Sequence, residues 1–87
     1  MDINDAVDAI DKFLQEYAAN KDDFNPTEIR VLPSGDEMTV IKVGLTFGDD
    51  VAEGDLDGLK KRTVDALERA LPEAMDEFQI KVRADVE

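Results

Sequence analysis

The chain has 87 residues, enough for one small domain around a single apolar core, and we treat residues 1–87 as one domain. It contains no cysteine, no histidine and only one serine, which excludes disulfides, thiolate metal sites, cysteine nucleophiles and histidine bases. Its 22 acidic and 10 basic residues give a net charge of −12. We expect an acidic protein that is not an enzyme and has no cofactor.

The charge predicts adaptation to concentrated salt. On a folded surface of roughly 5,000 Å², 22 carboxylates lie about 15 Å apart, and the screening length falls from about 10 Å at 0.1 M ionic strength to about 3 Å at 1 M. Asp outnumbers Glu, 14 to 8, and this usage resembles that of cytoplasmic proteins of salt-loving archaea. The acidic start MDINDAVDAI is unlike a secretory signal, and Lys42 interrupts the most apolar stretch. We therefore expect a cytoplasmic, halophilic protein with no membrane partner.

Residues 2–19 predict an amphipathic helix, because apolar residues recur at intervals of three and four. Its expected buried face contains Ile3, Ala6, Val7, Ile10, Phe13, Leu14 and Tyr17. Phe24 follows in a predicted loop.

A β-hairpin is predicted next. Ile29 and Val31 alternate with charged residues in a first strand, and PSGD at 33–36 supplies turn residues. In the second strand one face carries Ile41, Val43, Leu45 and Phe47, and the other carries Val40, Lys42, Gly44 and Thr46.

A second helix is predicted from residue 55 to about 71, and Pro72 ends it or begins a short extra turn. Its expected buried residues are Leu56, Leu59, Thr63, Ala66, Leu67 and Ala70. Residues 78–86 alternate as a last strand, with even-numbered side chains facing inward and odd-numbered ones facing outward.

This α-β-β-α-β order predicts an α+β fold, a two-layer sandwich with both helices on one face of a three-stranded, mostly antiparallel sheet. The last strand can pair with the first strand or with the second. We favour the first strand as its neighbour, because antiparallel pairs are commoner than parallel ones.

The stretch EGDLDGLKKRTV, residues 53–64, begins like a calcium loop, with alternating acids before a glycine. An EF-hand loop needs a bidentate Glu at its twelfth position and a helix in front of it. Here the twelfth residue is Val64 and a strand comes first, so we interpret the segment as a helix entry capped by Asp50 or Asp55. We predict no dedicated metal site. Weak divalent-cation binding stays an alternative for the acidic loop, through Asp49, Asp50, Glu53, Asp55 and Asp57.

The sheet face that the helices leave open gathers basic residues from all three strands. Four bases and two acids give this face a local charge near +2 on a molecule of −12. Exposed cross-strand salt bridges would explain it without any function; self-association and ligand binding are the alternatives. The residues that we assign to an interface or anion site are Arg30, Lys42, Lys81, Arg83, Glu28, Val40 and Asp85.

Lys60 lies at the edge of the second helix's apolar stripe. We expect its methylenes to cover the core while its ammonium stays in water; the alternative is a buried catalytic lysine. We expect the KKR run at 60–62 to divide around the helix.

The leading hypothesis is a nonenzymatic interaction or regulatory module that forms a homodimer through the open sheet face, with an unidentified protein as another possible partner. RNA or phosphate-ligand binding at the same face is the alternative. Nucleic acid is disfavoured, because no aromatic side chain is left on that face to stack bases and the net charge repels phosphates.

Overall fold

The structure, a computed structural model, describes residues 2–35, 37 and 39–87 and has the predicted α+β fold. Helix α1 spans Ile3–Ala19 and is followed by strands β1, Glu28–Ser34, and β2, Val40–Phe47. A 3-10 turn at Glu53–Asp55 leads into helix α2, Leu56–Ala70. The short helix α3, Pro72–Glu77, begins at the proline and precedes strand β3, Gln79–Val86.

The sheet is mixed, with strand order β1-β2-β3. Strands β1 and β2 are antiparallel, and β3 pairs in parallel with β2. The predicted pairing of β3 with β1 is therefore wrong. Pro33 gives the physical reason, because a proline cannot donate to a ladder and is confined to edge strands, whereas the predicted order would place β1 in the centre.

The hairpin turn contains Gly35, whose φ of +87° is a conformation that other residues rarely adopt. Gly35 lies in the turn predicted from PSGD, but Pro33 and Ser34 belong to β1 and pair with Ile41 and Val40, so the predicted turn begins two residues too early. Asp36, the last residue of that motif, and Met38 lie outside the described residues.

The core lies between the helices and the inward face of the sheet. The central strand contributes the most, since Ile41, Val43, Leu45 and Phe47 are buried. Helix α1 packs on β1 and α2 packs on β3, so the two helices cover opposite halves of one sheet face. Four of the seven residues predicted for the buried face of α1 are buried, namely Ile3, Ala6, Ile10 and Leu14, and the other three, Val7, Phe13 and Tyr17, are partly buried.

Two residues, Phe24 and Ala70, have a burial that the sequence did not indicate. Phe24 lies in a loop but is fully buried, because its ring fills the space between Tyr17 and Phe47. Ala70, expected in the stripe of α2, is exposed, since the buried part of α2 is limited to Thr63 and Leu67. The Thr63 hydroxyl is satisfied in the core by donating to the carbonyl of Leu59 at 2.8 Å.

Candidate functional site

The open face is the side of the sheet that the helices do not cover, and the strand register arranges its side chains in four rows. Each row takes one residue from each strand. All seven residues predicted for an interface or anion site fall within these rows. In order along the strands the rows are Glu28–Thr46–Asp85, Arg30–Gly44–Arg83, Leu32–Lys42–Lys81 and Ser34–Val40–Gln79. We call the first three the acidic row, the arginine row and the lysine row.

The two arginines of this face turn toward the acidic row. Arg30 Nε donates to Glu28 Oε1 at 2.7 Å, and Arg83 Nε lies 3.2 Å from Asp85 Oδ2. Each ion pair joins two residues of the same strand, the first in β1 and the second in β3. These arginines therefore do not form the predicted cross-strand pairs. All four side chains are exposed, and such pairs contribute only a few tenths of a kcal/mol each.

The lysine row carries charge that has no acidic partner among the described residues. Lys42 and Lys81 are directly opposite each other in the parallel β2–β3 pair, and like charges in that position destabilise a sheet. Beside them, Leu32 is 57% exposed and is the one large apolar side chain in the described part of the chain with that degree of exposure. Two neighbouring cations and an exposed leucine therefore lie side by side on the open face.

Gly44 gives the open face a shallow hollow of about 330 Å³, lined by side chains that include Lys42, Lys81 and the two arginines. A Cβ at position 44 would lie 3.9 Å from the Cβ of Arg30, an ordinary contact distance. The backbone therefore does not require glycine here. What the missing side chain provides is room for close approach by another molecule.

The acidic loop forms the predicted helix entry. The residue before α2 is Asp55, but its φ of −89° and ψ of −11° are already helical and its side chain makes no capping hydrogen bond, because a capping residue needs an extended backbone. The predicted cap by Asp55 is therefore wrong. The predicted cap by Asp50 is wrong as well, since the residue before the 3-10 turn is Ala52 and no side chain caps that turn. Among the described residues no three acidic side chains form a group that could hold a metal ion. Weak cation association with this loop stays a prediction.

Lys60 has a side chain that is 40% exposed, and its ammonium lies 3.5 Å from Asp57 Oδ1. This is the placement expected for a lysine whose stem covers apolar neighbours while its charge stays in water. The KKR run divides as predicted, since Lys61 and Arg62 line a groove between α1 and α2, and Lys60 does not.

Arg62 organises a cluster that the sequence did not reveal. Its Nε donates to the hydroxyl of Tyr17 at 2.8 Å, and its Nη2 donates to Asp23 Oδ1 at 2.9 Å. The guanidinium also lies 5.5 Å from the ring centre of Tyr17 and 5.7 Å from that of Phe24. The available signal was Tyr17 itself, because a tyrosine in a buried stripe needs a partner for its hydroxyl.

The Arg62 cluster changes the titration of both partners. The hydrogen bond from Arg62 lowers the pKa of Asp23. In return, the hydrogen bonds to Asp23 and Tyr17 raise the pKa of Arg62. Asp23 therefore favours folding when it is ionised, and that contribution is lost as the pH falls through its lowered pKa.

We predict that Asp23→Asn destabilises the protein at pH 6 and that the difference from the wild type shrinks as the pH falls below about 4, the ordinary titration range of aspartate. The measurement is the urea midpoint of both proteins between pH 6 and pH 3. Asp22→Asn, an exposed neighbour, is the control and should leave the midpoint unchanged. A difference for Asp23→Asn that stays constant with pH would contradict the role given to its charge.

No protein-family model matches the chain, and no match was found among curated proteins or among solved structures. Within the described residues, no helix has both the length and the apolar character needed to cross a membrane.

Proposed function

We propose that this chain is a nonenzymatic interaction module that pairs with a second copy of itself through the open face. One observation supports this best: the charges along the strands are self-complementary. The acidic row and the lysine row lie on either side of the arginine row. A surface with opposite charges at equal distances from its centre can match its own copy, as a symmetric dimer requires.

The charge order selects one way of stacking two such sheets. Within one chain the acidic row and the lysine row are about 13 Å apart along the strands. If the two-fold axis runs across the strands along the arginine row, each acidic row lies over the lysine row of the second copy. Lys81 then faces Asp85 of the second copy, and Glu28 reaches toward Lys42. The arginine row meets itself on this axis, and its charges are balanced by the ion pairs with Glu28 and Asp85. An axis parallel to the strands would in addition place lysine row on lysine row, which like-charge repulsion opposes.

The open face also offers apolar side chains for this dimer interface. Leu32 is exposed and Val40 is partly exposed, while Gly44 lets the two sheets approach near the axis. Three strands of about eight residues cover roughly 15 by 25 Å, a footprint of about 400 Å² compared with about 800 Å² per partner in a stable complex. We therefore expect reversible association that strengthens with protein concentration.

The test uses charge reversal at a position that meets its opposite in the dimer. In about 1 M KCl, where long-range repulsion is screened, sedimentation equilibrium should show a wild-type monomer–dimer equilibrium. Lys81→Glu should be monomeric, because residue 81 would then face Asp85 of the second copy. The double variant Lys81→Glu, Asp85→Lys should dimerise again, since the exchanged charges still meet. Lys12→Glu makes the same charge change on the exposed side of α1 and should dimerise like the wild type.

A wild type that stays monomeric at every concentration would contradict the proposal. Failure of the double variant to recover, while circular dichroism shows it folded, would contradict the stacking direction. The anion-binding alternative gives a different result: a monomer whose Lys42 and Lys81 amide resonances shift when inorganic phosphate or RNA is added.

A further inference from the structure

A second basic surface lies away from the open face, in a groove between α1 and α2 of about 700 Å³. This volume is within the range of about 300–1,000 Å³ found for small-molecule sites. Its apolar part comes from Phe13 and Tyr17 on α1 and from Ala66 and Ala70 on α2. Ala70, which is exposed although its position in the stripe predicted burial, is thus part of the groove wall.

The groove collects positive charge from α2 and from the loop after α1. Lys21 lies in the loop just after α1, and Lys61, Arg62 and Arg69 lie on α2, with Asp65 as the acidic lining residue. The ion pair with Asp23 balances the charge of Arg62. Three cations and one acid remain, a local charge of +2 on a chain of −12. None of these three cations has an ion-pair partner among the described residues.

Tyr17 is held in a fixed position at this groove. Arg62 binds its hydroxyl, and the ring of Phe13 lies 5.7 Å away at a tilt of 33°. The ammonium of Lys21 is 5.7 Å from the centre of the Tyr17 ring. Two partly buried aromatic rings therefore adjoin the cations of the groove, the combination that recognises a flat ring joined to an anionic group.

We infer that the groove binds a small organic phosphate that carries a flat ring, a ligand of the nucleoside monophosphate class. The phosphate would be held by Lys61, Arg69 and Lys21, and the ring would lie against Phe13 and Tyr17. An acidic helix from another protein is the alternative occupant, and a peptide of that kind distinguishes the two in the test below. This site is separate from the open face and does not depend on dimer formation.

The probes are adenosine monophosphate, inorganic phosphate and adenosine, each added to the ¹⁵N-labelled chain at the lowest salt in which it is folded. Adenosine monophosphate should shift the amide resonances of Tyr17, Lys61 and Arg69 and reach saturation. Inorganic phosphate should bind more weakly, and adenosine should bind most weakly, because each has only one of the two recognition elements. A similar response to inorganic phosphate and to adenosine monophosphate would overturn the role of the ring.

Two neighbouring lysines provide a matched control. Lys61→Glu should weaken binding of adenosine monophosphate by about tenfold or more, because it reverses a charge inside the groove. Lys60→Glu makes the same change one residue earlier, at a side chain that does not line the groove, and should alter affinity by about twofold or less. Equal losses in the two variants would overturn the site. So would the absence of saturable shifts with adenosine monophosphate, or a groove that responds only to an acidic helical peptide.

Discussion

Replacing Phe24 with alanine is expected to lower the free energy of unfolding by about 3–5 kcal/mol, the range for removing a fully buried aromatic ring. Phe24 is 0% exposed. Its ring makes edge-on contacts with Tyr17 at 5.1 Å and with Phe47 at 5.8 Å, so it joins α1 to the central strand. Its removal leaves a cavity and also takes away a ring that the guanidinium of Arg62 covers. Urea denaturation followed by circular dichroism measures the loss.

Two further variants separate this role from a general effect of aromatic residues. Phe24→Leu keeps most of the apolar volume and should cost less than Phe24→Ala. Phe13→Ala removes a ring that is only partly buried and should also cost less. If Phe24→Ala proved no more destabilising than Phe13→Ala, the loop containing Phe24 would not close the core as described. In that event the fixed orientation of Tyr17 would also need another explanation.

Local patterns were enough to predict the elements of this fold. The intervals of three and four in α1 and the strict alternation in β3 both reflect burial on one side, which a sequence records directly. The strand order was mispredicted because Pro33 was assigned to the turn and not to β1, so only a general preference for antiparallel pairs decided the neighbour of β3. A proline within a strand is stronger evidence for an edge position than the general frequency of antiparallel pairs is for one particular strand order.

The sequence predicted which side of the sheet carries the candidate site, but not which of its residues become neighbours. A period of two places Arg30, Lys42 and Arg83 on the same side of a sheet, whatever the register. Which of them become neighbours depends on strand pairing, and only the observed register separates an acidic row from a lysine row. The Arg62 cluster was missed for a related reason, since it joins residues that are 39 and 45 positions apart in the chain.

Raising the KCl concentration from about 0.01 M to about 2 M is expected to increase the melting temperature by about 10 °C. At about 15 Å, two carboxylates repel by about 0.2–0.3 kcal/mol in dilute salt, and molar salt removes nearly all of this. The repulsion energy is summed over the excess acids, and the part that also exists in the unfolded chain is subtracted. Screening should then add about 2 kcal/mol to the free energy of unfolding. One kcal/mol corresponds to about 4–8 °C in a domain of this size.

A charge-reduced variant distinguishes screening from the general effect of salt on apolar burial. Four exposed acids that form no ion pair in the described part of the chain can be neutralised by Asp8→Asn, Glu16→Gln, Glu68→Gln and Asp76→Asn. This changes the net charge from −12 to −8. Because self-repulsion grows roughly with the square of the net charge, the variant should show less than half of the wild-type increase and should melt higher than the wild type in dilute salt. Equal increases in the melting temperatures of both proteins would mean that salt stabilises the fold through apolar hydration and not by screening the acidic surface.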